Sequence, residues 1–402
     1  MTYDKPRIVN FDEACYLITN LAAGRHGEQV PLDHAAGRVL AQDVIARRAS
    51  PTHAVSAMDG YAVRESDLAE LPTFLPVAGR SFAGQRFSES LPPNACVRIF
   101  TGAILPGGSD RVVVQEDVSD INGVAHFTLP LSPHRHLRAA SSDFAEGDTL
   151  LAKGSLVTPQ RLVSIAAADM ASVEVYRQPR VLILCCGDEL VEPGQKTPHP
   201  DRIPESVSYG VAALARSWGG IVIARWRRGD HLGALRLAAH DAVAAADIVV
   251  IIGGASVGEK DLAKEAFAAP GFELLFTRVA VRPGKPVWLG RQGRVPVLGL
   301  PGNPTSAVVT ARLFLAPLLA GLNGRDPKEA WSWQQMQLGD SLTPSGDRDC
   351  FLRATVVAGA AMPVMDQDSA SQGALASATH LIRHRSGAPS VPEGAMVETL
   401  LL

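Results

Sequence analysis

Three short runs carry residue types suited to holding an oxyanion or a phosphate. Val297-Leu-Gly-Leu-Pro-Gly-Asn-Pro-Thr-Ser306 reads as a buried strand that stops at Pro301-Gly302 and restarts as a helix. Pro304 falls in the first helical turn, where proline is tolerated, and Asn303 is a favourable N-cap. Such a turn points free backbone N–H groups at the strand's C-terminal end, where an anion can bind. The alternative for this run alone is an ordinary strand-to-helix connection. Val181-Leu-Ile-Leu-Cys-Cys186 leads into Gly187-Asp-Glu-Leu190, and Asp247-Ile-Val-Val-Ile-Ile252 leads into Gly253-Gly-Ala-Ser-Val-Gly-Glu-Lys-Asp261. Both set glycine beside carboxylates just past an apolar segment. A basic counterpart lies in Val279-Ala-Val-Arg-Pro-Gly-Lys-Pro286, where Arg282 and Lys285 flank a tight Pro-Gly turn.

The elements that position these loops follow from hydrophobic pattern. The two strands ending at Cys186 and Ile252 are continuous apolar runs, as expected of strands covered on both faces in a parallel sheet. Between them lie the alanine-rich helical patterns Ser206–Trp218 and Asp230–Ala246, separated by the strand-like Ile221–Trp226. Strand, helix, strand, helix, strand is the order of a doubly wound α/β domain, whose ligands bind beyond the carboxyl ends of the strands. All three glycine-bearing loops should therefore meet in one crevice. Around this core the pattern changes. Residues 11–45 hold an amphipathic helix, Phe11–Ala23, and a second short segment, Leu32–Ile45. Short strands broken by Gly and Pro follow (Leu75–Gly79, Cys96–Phe100, Arg111–Gln115), then helix Pro159–Asp169, and late strands at Asp349–Val357 and Thr379–Arg383. The expected division is 1–50 with 138–175 as an N-terminal and connecting segment, 51–137 as a β-rich domain, 176–327 as the α/β domain, and 328–402 as a β-barrel-like domain.

Composition narrows the function. At 402 residues the chain can bury several cores. A net charge of −3 gives no global attraction to nucleic acid or an anionic membrane, so neither is an expected partner. The N-terminus lacks the apolar core of a signal peptide, and the stretches Val243–Ile252 and Ala307–Leu322 suit buried elements better than membrane spans. Five cysteines without a C-x-x-C spacing argue against a disulfide framework and a structural zinc site, which fits a reducing cytoplasm. Cys185 and Cys186 read as packed thiols. His134 with His136, and His380 with His384 at helical i, i+4 spacing, read as incidental rather than metal-binding.

Six motifs occur in order: Ser56-Ala-Met-Asp-Gly-Tyr-Ala62, Thr101-Gly-Ala-Ile-Leu-Pro106 with Val112–Glu116, Gly187-Asp-Glu-Leu190, Gly253–Asp261, Pro283-Gly-Lys-Pro286 and Leu300-Pro-Gly-Asn-Pro304. Together they resemble the molybdopterin molybdenumtransferase family, which includes the C-terminal domain of gephyrin. The resemblance covers nearly the whole chain. It implies four structural segments, an elongated homodimer with active sites shared between chains, and a cytoplasmic enzyme of molybdenum cofactor synthesis. Such an enzyme takes adenylylated molybdopterin and molybdate, releases AMP with Mg²⁺, and leaves molybdenum on the dithiolene. An upstream molybdopterin adenylyltransferase and client molybdoenzymes are its implied partners. The resemblance assigns catalysis to Asp59, Thr101, Asp143, Glu189, Asp230 and Asp261, with Glu189 and Asp261 as metal ligands. It assigns substrate binding to Gly253, Gly254, Ser256, Arg278, Arg282, Lys285, Pro286, Pro301, Gly302, Asn303 and Arg353. Asp188 reads as a turn-closing residue instead.

Departures from the family pattern bear on substrate affinity more than on fold. Arg278 and Arg282 stand where the family usually has Lys, and Val207 stands where it commonly has Asn. Ser141-Ser-Asp143 replaces Gly-Glu-Asp. Gln372 takes the place of a molybdate-contacting Ser, unless Ser371 slips into that place. These changes keep open a non-catalytic molybdopterin-binding or scaffold role, and the same chemistry on tungstate or for a particular client enzyme.

Overall fold

The computed structural model describes residues 7–22, 26–195, 200–254 and 262–402. At its centre is a six-stranded sheet in the order Ile221–Arg228, Arg180–Cys186, Ile248–Ile252, Val295–Leu300, Trp288–Gln292, Phe272–Phe276. The first four strands are parallel, and the last two join antiparallel. Along Arg180–Cys186 alternate side chains enter different cores. Val181, Ile183 and Cys185 pack with the Val207–Ser217 and Pro304–Leu322 helices, whereas Leu182, Leu184 and Cys186 pack with Leu232–Ala245 and Leu262–Phe267. That two-sided burial is why the run is apolar at every position.

The apolar segment after Pro304 is one continuous helical path: Pro304–Thr310, a π-helical stretch Ala311–Leu315, then Ala316–Leu322. It is long enough to cross a membrane, but 94% of its apolar window is buried inside the protein. It is a core helix.

The N-terminal helix Phe11–Leu21 also belongs to this core. Asn10 caps it by accepting the Glu13 N–H at 2.8 Å, and Phe11, Ala14 and Ile18 are buried against the α/β unit. Strand Ile8–Val9 pairs in parallel with Arg278–Val279. Residues 8–21 thus pack with the α/β core rather than with 138–175. Segments 27–56 and 137–176 meet through three short antiparallel pairs over Leu40, Val44, Val157, Ile165 and Val175. Leu32–Ile45 forms no continuous element: a 3₁₀ turn, Leu32–His34, and a two-residue strand, Val44–Ile45, are its regular parts.

Two further six-stranded sheets flank the core. One holds Arg111–Val114, Gly60–Val63, Cys96–Ile99, Thr73–Ser81, Val124–Phe127 and Val118–Ile121 in that order. The other runs from Val281–Arg282 through Asp349–Val357, Ala360–Pro363, Gln334–Leu338 and Met396–Leu401 to His380–His384, which pairs back onto Asp349–Val357 and closes a small barrel. His380 and His384 therefore mark the ends of a strand, one residue along from the strand expected at Thr379–Arg383.

Arg383 ties the barrel to the N-terminal helix. Its guanidinium donates to Asp349 Oδ2 at 2.7 and 3.0 Å and to Asp12 Oδ1 at 2.9 Å, and lies 4.6 Å from the Phe11 ring centroid. Asp349 is 14% exposed and Asp12 71%. Replacing Arg383 by Met strands the buried carboxylate and should cost about 3–5 kcal/mol. Asp12→Asn removes only a solvated partner and should cost less than about 1 kcal/mol. Urea unfolding followed by tryptophan fluorescence measures both, and equal shifts for the two variants would remove burial as the explanation.

Candidate active site

A cavity of about 1060 Å³ opens at the carboxyl ends of the parallel strands. Its floor is built from glycine turns that approach closely. Gly253 has φ +86°, and a Cβ there would lie 2.6 Å from the Cys186 carbonyl oxygen. A Cβ on Gly302 would come within 3.6 Å of the Gly253 Cα. Of the expected residues, Glu189, Asp230, Gly253, Gly254, Pro286, Pro301, Gly302 and Asn303 line this cavity. All three strand-end loops contribute to it. Ser256 and Asp261 lie outside the described residues.

The turn before Pro304 differs from the expectation in one respect. Asn303 occupies the N-cap position, but its side chain makes no capping bond. Its amide donates to Ser369 Oγ at 3.1 Å, and the Thr305 N–H donates to the Ser369 carbonyl at 3.1 Å. The C-terminal segment therefore occupies one helix-end donor directly. Arg353, 1% exposed, holds that segment in place. It donates to the carbonyls of Asp366 (2.9 Å), Asp368 (3.0 Å) and Ser371 (3.3 Å) and to Thr305 Oγ1 (3.3 Å). Arg353 is not part of the cavity lining; the segment it clamps supplies Ala370 and Gln372 to it.

Of the basic loop, Pro286 lines the cavity, whereas Arg278, Arg282 and Lys285 do not. Arg282 and Lys285 are exposed, and Arg278 is half-buried in its strand beside Ile8. The turn between them is held: Gly284 has φ +101°, a Cβ there would fall 2.1 Å from Thr310 Cγ2, and the Val279 N–H donates to the Lys285 carbonyl at 3.1 Å.

Among the carboxylates, Asp188 accepts the Asp230 N–H at 3.1 Å and closes the turn at Gly229, as read from sequence. The Glu189 carboxylate folds back over Gly187, where a Cβ would meet both of its oxygens at 2.8 Å. Among the described residues no group of three or more His, Cys, Asp or Glu could hold a metal ion. Glu189 and Asp230 nonetheless offer the cavity two oxygen donors. That set fits Mg²⁺, which takes one or two carboxylates and completes its shell with water and substrate phosphates.

Sequence reasoning overlooked the far wall: Glu205, Ser206 and the neighbouring Ile203-Pro204. Glu205 is 6% exposed and accepts both the Ser208 N–H, at 2.7 Å, and the Ser208 hydroxyl, while Arg225 donates to that hydroxyl at 3.0 Å. The available signal was an acid three residues before a serine at a helix start. Cys185 and Cys186 also touch the cavity, but burial pushes both thiols up, that of Cys186 to about 12. Neither is a thiolate near neutrality.

Asp59 and Thr101 are brought together elsewhere. Asp59 Oδ1 accepts the Thr101 N–H at 2.8 Å and its hydroxyl at 2.7 Å. These bonds, with the nearby Arg98 guanidinium, hold the Asp59 carboxyl below the usual range. Asp143 sits in an exposed turn with its N–H on the Ser50 carbonyl at 3.0 Å. None of the three lines the cavity of its own chain.

Known proteins share this architecture. Residues 9–168 match the family model "MoeA N-terminal region (domain I and II)", and residues 182–321 match "Probable molybdopterin binding domain". A molybdopterin molybdenumtransferase of Haemophilus influenzae is 39% identical over 74% of this chain and 73% of its own length. Molybdopterin molybdenumtransferase 2 of Mycobacterium tuberculosis is 36% identical over 72% and 74%. A solved MoeA molybdopterin biosynthesis protein of Pyrococcus horikoshii covers 98% of this chain and 99% of its own at 28% identity, with a TM-score of 0.83. A second structure of the MoeA protein from that organism, 24% identical over 98% of this chain and 100% of its own, repeats the fold at a TM-score of 0.86. With relatives this similar over nearly three quarters of their length, the chain belongs to the molybdopterin molybdenumtransferase family of enzymes.

Proposed function

We propose that this chain inserts molybdenum from molybdate into adenylylated molybdopterin with release of AMP. The observation that carries the reading is the convergence of Glu189, Asp230, Gly253 and the Pro301-Gly302 turn on one cavity, in a chain of this family. Cleaving a phosphoanhydride requires neutralisation of developing negative charge and fixed donors around the phosphates. Glu189 and Asp261 are the proposed holders of Mg²⁺, which when bound supplies Lewis-acid stabilisation of phosphate oxygens. The glycine turns let the phosphates approach backbone, and Asp230 adds a further carboxylate to the same cavity. Arg282, Lys285 and Pro286 are assigned to molybdate, with Arg353 holding the segment that completes the pocket. Ser256, Gly254 and Asn303 complete the nucleotide contacts, and Arg278 supports the basic strand.

The enzyme is proposed to work in the cytoplasm as a homodimer, between a molybdopterin adenylyltransferase and client molybdoenzymes. Asp59, Thr101 and Asp143 then complete the partner's site. A second reading, binding of molybdopterin without turnover, draws support from Val207 and Gln372. Both depart from the family pattern, and both line the cavity. Tungstate in place of molybdate involves the same chemistry.

Incubation with adenylylated molybdopterin, Mg²⁺ and molybdate should release AMP. Glu189→Gln should slow release by about 100-fold or more, the loss typical of one electrostatic catalytic group. Asp261→Asn should abolish release while the pterin nucleotide still binds. Turnover at the wild-type rate in either variant would remove that carboxylate from the reaction, and binding without release by the wild type would favour the second reading.

Arg282→Ala and Lys285→Ala should each raise the molybdate concentration for half-maximal activity roughly tenfold, the loss of one charge-assisted hydrogen bond. Pterin-nucleotide affinity should change much less. Parallel weakening of both ligands would instead mark these residues as supports of the fold.

Shared sites make a distinct prediction for mixed dimers. Asp59→Asn and Asp261→Asn chains, unfolded and refolded together, should regain roughly a quarter of wild-type activity, because half the dimers are mixed and each of those has one intact site. Confirmed heterodimers without recovery would confine each site to one chain.

A further inference from the structure

Beside Asp59 and Thr101 stands an aromatic pair that the reaction above leaves without a role. The rings of Phe82 and Phe100 stack with centroids 4.6 Å apart and planes 9° from parallel. Phe82 is 38% exposed. The surrounding backbone is fixed. Phe82 and Gln85 exchange backbone hydrogen bonds at 2.9 and 3.0 Å around Ala83-Gly84, and the Phe100 N–H donates to the Ser81 carbonyl at 3.1 Å. The buried Ser81 hydroxyl donates to the Ile104 carbonyl at 3.0 Å and accepts the Phe87 N–H at 3.2 Å. The Arg98 guanidinium lies 5.0 Å from the Phe100 centroid and donates to the Gly60 carbonyl at 3.2 Å. A flat ring surface is thus presented to solvent on a turn already held in one shape, so little ordering cost remains for a ligand.

The polar neighbour gives this surface a chemistry. Ala83 packs against Gly102, where a Cβ would meet its own Cβ at 3.8 Å, which sets the turn beside Thr101. Both Thr101 bonds to Asp59 fall on Oδ1. The second oxygen accepts no bond from the described residues. An acceptor oxygen next to a flat apolar face is the arrangement that reads a nitrogen heterocycle, through its N–H edge and its π-face together.

We propose that Phe82 and Phe100 form a stacking platform for the planar nitrogen heterocycle of the pterin-nucleotide substrate, with the ring's N–H edge turned toward Asp59. The proposal rests on the reaction proposed above and assigns ring binding to the N-terminal β unit. Two rings of that substrate share the required chemistry, pterin and adenine. The pterin offers adjacent ring N–H and amino donors to a carboxylate, whereas adenine sets its amino group beside a ring acceptor.

The test titrates AMP and the fluorescent free pterin 6-hydroxymethylpterin separately into the full-length protein and into Phe82→Ala, Phe82→Leu and Phe82→Trp. Stacking predicts that Ala and Leu each weaken one probe by roughly 5- to 100-fold and that Trp restores it. The probe that weakens identifies the ring. In the AMP-release assay the same variants should raise KM for the pterin nucleotide and leave the molybdate dependence unchanged. Equal binding of both probes by wild type and Phe82→Ala overturns the platform, whether or not AMP is released. Wild-type binding by Phe82→Leu overturns it as well, since an aliphatic cover would then suffice. Phe82-dependent binding in a chain that releases no AMP upholds the platform and removes the reaction.

Discussion

The site depends on backbone approach that no side chain permits. Gly253 lies so close to the end of the neighbouring strand that a Cβ would press to 2.6 Å on the Cys186 carbonyl oxygen, while a Cβ on Gly302 would make ordinary contact with Gly253 at 3.6 Å. Gly253 and Gly254 both adopt positive φ, +86° and +64°, where other residues are strained. Because the strands ending at Cys186, Ile252 and Leu300 are hydrogen-bonded neighbours, these turns sit side by side at one edge of the sheet. Glu189 and Asp230 are carried in from the rim. The parallel sheet fixes where the cavity opens, the glycine turns shape its backbone lining, and Glu189 and Asp230 add carboxylates to it.

The C-terminal barrel is part of this arrangement. Its attachment begins where Val281–Arg282 pairs in parallel with Asp349–Cys350, so the basic loop and the barrel share backbone bonds. Arg353 extends the link inward. A buried guanidinium is costly unless its donors are satisfied, and here three carbonyls and one hydroxyl satisfy it. Moving segment 366–372 would strand that charge. The segment consequently stays against the helix that starts at Pro304, where the Ser369 carbonyl occupies the Thr305 N–H. Barrel and strand-to-helix turn are therefore joined by side-chain and backbone hydrogen bonds.

What could be read from the sequence were features set by local pattern. The apolar runs ending at Cys186 and Ile252 announced strands buried on both faces, and Asp349–Val357 is a strand with the expected bounds. The three loops were legible as a site because strand ends in such a sheet face one way. What escaped depends on partners far away in sequence. Asn303 has the composition of a cap, yet Ser369 takes its amide. Glu205 looks like one more surface acid until Ser208 and Arg225 are seen closing over it. Arg353 has the charge of an anion ligand, and only the folded barrel shows that its donors are engaged by the chain itself.

The two departures most relevant to substrate both line the cavity. Val207 begins the Val207–Ser217 helix, is 9% exposed, and packs into the α/β core while also facing the cavity. Ser206, at the N-cap, makes no side-chain capping bond, and Glu205 takes the Ser208 N–H instead. An apolar residue is therefore accommodated at Val207 without leaving that helix-end donor unsatisfied. On the barrel side Ser371 cannot stand in for Gln372. Its hydroxyl is engaged by the Asp366 carboxylate, helping to hold that carboxyl below its usual range, and its carbonyl takes bonds from Thr305 and Arg353. Gln372 is the residue that lines the cavity. A neutral amide there offers a donor and an acceptor in place of a hydroxyl, and Val207 offers neither. Among the described lining residues the charge therefore comes from Glu189, Glu205 and Asp230 alone.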